Sequence, residues 1–447
     1  MTRARLAILL LLSISSALSV LWGFALKRAS IGSIEDFKIV YYGARCLIQH
    51  HDPYNENELM KVYRAEGGKP PSNPTDLQLI RQVVTLQVYF PTAFIYIAPF
   101  ALLPWSAAHL LWTGVTVASF TLAAFLMWDI GHEHAEQASF YLVCFLLANC
   151  EILFAGGNPA VVVVSFCVIA VWCFLQNRFV PVGVLCFAVS LAIKPHDTGL
   201  VWLYFLMAGG AYRKRAAQTL ALAIVLAVPA ILWISQVSPH WIQELHSNLS
   251  AAAARGGMAD PGPGSVSGGG GWIIDLQSVI SVFRDDPRIY NTVSYLICGP
   301  LLLVWIVVTL RSQASRSRDY LALAAIAALS MLPLYHRPQD AKLLLLTIPA
   351  CALLLAEGGP IGWIALFLNA AGIVMTSDIP LAMLGMLSGS LHLPVTGLVG
   401  QLTTVAITRP VPLVLLALSV FYLWVYARRC LVLHLPVSSQ AELEMTS

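Results

Sequence analysis

The side chains able to do chemistry in this chain sit in a few short segments. Asp36 lies within Ser33-Ile34-Glu35-Asp36-Phe37-Lys38-Ile39-Val40-Tyr41-Tyr42-Gly43-Ala44-Arg45, just past a long apolar run, and His50-His51-Asp52-Pro53-Tyr54 adds a second acid in a tight turn. Lys194-Pro195-His196-Asp197 closes another apolar run, and His336-Arg337, with Asp340 beyond, closes a third. A lone carboxylate beside hydroxyl chemistry is a general base. An ammonium, an imidazole and a guanidinium at the edge of a dry region are a phosphate pocket. Each segment also has a plain structural explanation. Ser33-x-x-Asp36 fits a capping box, in which the acid bonds back to the helix start. Lys194 could snorkel to headgroups, and Arg337 with Asp340 could be a helix-end ion pair. Gly156-Gly157-Asn158-Pro159 is an interhelical turn by composition, and it lacks the lysine and hydroxyl residue of a P-loop.

The elements that must position these groups are apolar helices. Of 447 residues, 58% are hydrophobic and only 11% charged, which specifies an all-α polytopic membrane protein. The net charge of +3 is carried by short basic clusters, so nucleic acid is not expected as a partner. Nine cysteines, mostly inside apolar runs and without CxxC spacing, suggest neither a disulfide framework nor a zinc site. No metal-ligand cluster is visible, and neither metal nor cofactor is expected.

Apolar runs compatible with spans fall at about 4–26, 106–128, 138–154, 159–176, 179–193, 199–210, 216–235, 291–310, 319–335, 341–357, 360–376 and 410–427, about twelve in all. The first reads as an uncleaved helix, being too long for a signal-peptide core. Residues 89–104, with Pro91, Pro99 and Pro104, and residues 380–400 are broken stretches, read as re-entrant or interfacial. With that count, Arg3/Arg5, Arg178, Arg213-Lys214-Arg215, Arg311/Arg316/Arg318 and Arg428-Arg429 all fall on the cytoplasmic side. The outer face then receives 27–105, the turn at Asn158, Lys194–Asp197, 236–290, 335–340 and 377–409. The chain is expected to be one membrane-embedded unit, 1–430, with outer-face segments 27–105 and 236–290 and a disordered cytoplasmic tail, 431–447. Residues 34–48 read as an amphipathic helix on the membrane surface, with Lys38, Tyr42, Arg45 and Gln49 on its polar side. The Gly-rich middle of 236–290 reads equally as a linker or as a substrate-gated lid.

Taken in order, these landmarks resemble glycosyltransferase family 87. They are Asp36-Phe37, Tyr41-Tyr42, Asp52-Pro53-Tyr54, Tyr89-Phe90-Pro91 with Pro99 and Leu103-Pro104, Gly157-Asn158, Lys194-Pro195, and His336-Arg337 with Asp340. The resemblance runs from residue 30 to about 345. It departs from the family's usual Tyr-Pro-Pro at Tyr89-Phe90-Pro91 and from Gly-Gln-x-Asn at Gly156-Gly157-Asn158. It implies a GT-C-type fold of about twelve transmembrane helices with juxtamembrane or re-entrant helices on the outer face.

The activity it implies is inverting transfer of a hexose, usually mannose. The donor would be a polyprenyl-phosphate-linked sugar and the acceptor a hydroxyl of a glycolipid or glycan, at the outer face of the plasma membrane. Asp36 would then be the general base, with Lys194, His336 and Arg337 at the donor phosphate. Tyr41, Tyr42, Arg45, Asp52, Tyr54, Asn158, His196 and Asp340 would contact substrate. The alternative from another class is a transporter or flippase for a lipid-linked sugar, which would need polar groups at mid-bilayer or paired broken helices. The centres of the apolar runs are nearly free of charge, which favours chemistry on one side. A purely structural membrane protein would leave the clustering of outer-face ionisable residues unexplained.

Overall fold

Apolar backbone in a bilayer must satisfy its own hydrogen bonds, so the long apolar runs become helices. The computed structural model describes residues 3–29, 36–68, 71–72, 77, 80–265, 272–378, 383 and 397–432, and every regular element among them is helical. Ser33 of the expected capping box, most of 380–400 and the tail from 433 lie outside the described residues. Among the described residues, five helices are long and apolar enough to cross a membrane: Arg5–Gly23, Trp105–Ala148, Gly210–Val237, Pro287–Arg311 and Pro410–Cys430. Shorter apolar helices at Pro159–Leu175, Val180–Ile193 and Gly359–Met375 pack among them.

The helix at Trp105–Ala148 is two antiparallel limbs. Ala135 leaves helical geometry (φ −142°, ψ 85°). In α1 (Arg3–Ala29), Ser16 Oγ meets Thr121 Oγ1 at 2.7 Å and Ser19 donates to the Leu147 carbonyl at 3.0 Å. One turn of α1 therefore touches both limbs, and the chain reverses between them. The separate apolar runs at 106–128 and 138–154 predict this hairpin, although the second limb stops at Asn149.

Side-chain contacts join the basic clusters at one end of the bundle. Arg5 pairs with Asp129 at 3.0 Å and Arg316 with Glu133 at 3.8 Å. Arg429 bonds Ser317 at 3.1 Å, and Tyr212 donates to Asp319 at 3.0 Å. Arg215 bonds the Phe174 carbonyl at 2.8 Å and also Asn177. The 17-residue helix Pro159–Leu175 carries the chain about 25 Å from that end to Asn158. The candidate site residues lie at this far end.

A small helical cap closes the far end. It comprises α2 (Phe37–Ile48), α3 (Glu56–Ala65) and α4 (Pro91–Ala101). The expectation of a surface-lying amphipathic helix at 34–48 is corrected here. In α2, Phe37, Ile39, Val40, Tyr41, Tyr42, Gly43, Ala44, Cys46 and Leu47 are all buried. The side that carries Tyr42 is covered by Tyr63 of α3 and by Trp105, with ring centroids 5.2 and 6.2 Å away. Gly43 lets α4 approach, since a Cβ there would stand 2.6 Å from the Phe94 ring. At 11 residues, α4 is about 16 Å long, too short to cross, in keeping with a non-spanning 89–104.

The described part of 236–290 is anchored. After α5 (Trp241–Ala253), Asp260 accepts from Gly256 N at 2.8 Å and Gly262 N at 2.9 Å, and Arg409 donates to the Pro261 carbonyl at 2.7 Å. Residues 266–271, the core of the Gly-rich stretch, lie outside the described residues. Asp275 then caps Leu276–Phe283, and Ile274 N donates to the His336 carbonyl at 3.0 Å. This segment therefore leads back to the candidate site.

Candidate active site

Asp36 stands at the N-terminus of α2 but does not cap it; its side chain makes no bond to the helix start. Instead Oδ2 accepts a 2.8 Å hydrogen bond from Asn158 Nδ2. Asn158 is itself fixed, because its Oδ1 accepts from Ala160 N at 2.9 Å and caps Pro159–Leu175. The turn before it is stapled to the Trp105–Ala148 hairpin: Trp112 Nε1 donates to Gly157 O at 2.7 Å, and His109 bonds Ala155 O at 3.0 Å. Gly157 has φ +66°, and a Cβ there would meet Trp112 at 3.1 Å and Phe37 at 3.2 Å. Only glycine fits without strain. Burial raises the Asp36 pKa above the ordinary aspartate value, opposed by the charge of Arg337, the Asn158 amide and the charge of Lys194. A basic carboxylate therefore sits within electrostatic reach of two cations.

The second half of the site centres on Lys194, at the corner between Val180–Ile193 and Pro195–Ala208. Its ammonium lies 2.9 Å from Asp197 Oδ2 and 2.9 Å from Asp340 Oδ1, with its side chain only 12% exposed. A snorkelling lysine would point to headgroups; this one is held between two carboxylates. Burial works against its charge, and Asp197 and Asp340 more than compensate, so its pKa is raised. Asp340 is also gripped by the Arg337 backbone N–H at 2.7 Å. Burial alone would raise the Asp340 pKa, yet Lys194, His336 and that N–H outweigh it and hold the carboxyl at about 2. The expected Arg337–Asp340 pair is thus made through the backbone. The Arg337 guanidinium turns instead to the Tyr335 hydroxyl and, at 3.2 Å, to the Met258 carbonyl in the turn after α5. His336 is buried, which pushes its pKa below the ordinary histidine range, and Nδ1 bonds the Leu334 carbonyl at 2.9 Å. His196 lies at the mouth, with Nε2 3.0 Å from Asp197 Oδ1.

The structure therefore brings together Asp36, Asn158, Lys194, His196, His336, Arg337 and Asp340. It places the remaining candidates in the cap. Tyr41 donates to the Leu103 carbonyl at 2.8 Å, and Arg45 binds Glu66 and the Ala101 carbonyl, the latter at 2.8 Å. Tyr42 packs among Tyr41, Tyr63 and Trp105. Asp52 closes its own turn by accepting from Tyr54 N at 2.9 Å, and Tyr54 donates to the Tyr89 carbonyl at 2.7 Å. These contacts hold α2 and the Tyr89 segment in place. Asp197, the hub between Lys194, His196 and His336, has no role of its own in the sequence pattern, where it only ends the Lys194–Asp197 segment. Its signal was an acid three positions after Lys194 in the first turn of a helix.

A model described as Glycosyltransferase family 87 matches residues 88–335, more than half of the chain. The match includes Asn158, Lys194 and Asp197, whereas Asp36 precedes it and His336 follows it. No curated protein and no solved structure matches the chain.

Proposed function

The chain belongs to glycosyltransferase family 87 and is a sugar-transferring enzyme with membrane-crossing helices, and from that premise we propose an inverting transfer in which Asp36 is the general base. The acceptor hydroxyl gives its proton to Asp36 as its oxygen attacks the anomeric carbon, a step worth on the order of 10²–10⁴ in rate. The bond from that carbon to the donor phosphate breaks on the opposite face, so one carboxylate suffices and the configuration inverts. The departing phosphate carries away the electron pair and needs cationic stabilisation, which Lys194 and Arg337 supply. The observation that carries this reading is the Asp36 carboxylate, bonded to Asn158 and within reach of the Lys194 and Arg337 charges.

The donor is a polyprenyl-phosphate-linked hexose, mannose by family resemblance, whose tail stays in the bilayer while its headgroup enters at the far end of the bundle. The gathering of the basic clusters at the opposite end supports placing the site at the outer face of the plasma membrane. It also supports a single GT-C-type unit over 1–430 with about twelve spans. The acceptor is a glycolipid or glycan hydroxyl.

The test is to incubate the detergent-purified protein with polyprenyl-phosphate mannose or glucose and a panel of glycolipid acceptors, then assign the anomeric configuration of the product by NMR. Transfer with inverted configuration is expected. Retained configuration, or translocation of the donor across vesicles without transfer, would overturn the mechanism.

A further inference from the structure

Asp197 is left without a task by the transfer chemistry. Its side chain is 1% exposed, yet neither oxygen receives an aligned hydrogen bond. Oδ2 faces the Lys194 ammonium at 2.9 Å; Oδ1 lies 3.0 Å from His196 Nε2 and 3.7 Å from His336 Nε2. The Leu334 carbonyl is an acceptor only, so its 2.9 Å contact assigns the His336 ring proton to Nδ1. Nε2 therefore presents a lone pair toward Asp197 Oδ1, and it too has no hydrogen-bond partner. Two buried acceptors facing each other are unfavourable unless something positive stands between them. A separation of 3.7 Å is too long for a shared proton.

We propose that His196 Nε2, Asp197 Oδ1 and His336 Nε2 are the protein ligands of a divalent transition-metal ion. Their donor atoms all lie within 4.8 Å of one another. Ligands about 2.1 Å from one metal stand roughly 3.0 to 3.4 Å apart, and the two contacts to Asp197, 3.0 and 3.7 Å, bracket that spacing. Two imidazoles and one carboxylate favour a zinc-, cobalt- or manganese-type ion over magnesium or calcium. The outer supports of a metal centre are present as well. The Leu334 carbonyl orients His336, and Lys194 holds the other oxygen of Asp197. His196 is 43% exposed, which gives the ion a way in and leaves its open positions toward the mouth.

The role of the ion rests on the transfer proposed above; the site itself does not. Three carboxyl groups, Asp36, Asp197 and Asp340, share the site with two cations, Lys194 and Arg337, and a donor phosphate tips the balance toward negative charge. A doubly charged cation reverses that balance. It would act on the leaving phosphate as a Lewis acid while the acceptor proton still goes to Asp36.

Untagged, chelator-stripped protein is titrated with Co²⁺ in the absence of donor and acceptor, and the visible absorption of the bound ion is read. One saturable site per chain is expected, displaced by Zn²⁺ and weakened roughly tenfold or more in His196→Ala. His336→Ala should abolish it, and His196→Ala, at an exposed position, carries the test if the buried substitution fails to fold. Absence of a saturable band, or a band unchanged in His196→Ala, would overturn the metal site. Transfer is assayed separately: cobalt binding without transfer sinks only the glycosyl reading, and transfer undiminished after stripping, with no cobalt band, sinks only the metal.

Discussion

Asp36 draws its character from what surrounds it. Burial raises its pKa, and Asn158 donates the hydrogen bond that limits the rise. In the proposed role Asp36 must be ionised to take a proton, so activity is expected to fall as pH drops through its pKa. Asn158→Ser keeps a competent helix cap but is too short to reach Asp36. The Asp36 pKa then rises, and the acid limb of the kcat/KM profile moves to higher pH; an unmoved limb would contradict the assignment. Lys194→Met should abolish transfer and also destabilise the fold, since removing one partner of a buried ion cluster costs about 3–5 kcal/mol. A thermal melt checks this, with partial recovery expected for Lys194→Arg. Asp36, Lys194 and His336 were readable from sequence because each interrupts or borders an apolar run. The placement of Asp197 was not, because its partner His336 comes from a distant segment that only the fold delivers.

Helix identity follows from apolar runs; helix surroundings do not. The reversal at Ala135 could be anticipated from the polar residues between two apolar runs, whereas the burial of α2 could not. Its local pattern says one polar side, and Tyr63 and Trp105 cover that side from outside the window. Asp36 illustrates the same limit, since its carboxylate accepts a hydrogen bond from a turn 122 residues away. That turn depends on Gly157. Gly157→Ala imposes a left-handed alanine, costing about 1–2 kcal/mol, and crowds Trp112 and Phe37. A lower melting temperature and a loss of transfer larger than the loss of folded protein are expected, because Asn158 shifts with the turn.

The whole molecule is polarised. One end links Arg5, Asp129, Glu133, Arg316, Ser317 and Arg429 through side-chain contacts, and the other holds Asp36, Asn158, Lys194 and His336. Counting basic loops in the sequence anticipates this division, because those loops share one face. What it could not supply is the neutralisation inside the far end, where Lys194 is shared by two acids. Sidedness is checked with single cysteines in a background where the partly exposed Cys144, Cys186 and Cys430 are serine. Asn57→Cys should react with a membrane-impermeant maleimide on intact cells, and Lys214→Cys only after permeabilisation. The reverse pattern would put the site on the cytoplasmic face.

The most direct measurement is the rate of hexose transfer from a polyprenyl-phosphate donor by Asp36→Asn beside the unaltered protein, with donor binding measured on both. Transfer is predicted to fall by about 10²–10⁴ while donor binding persists; transfer at a near-normal rate would contradict the role of Asp36 as the base.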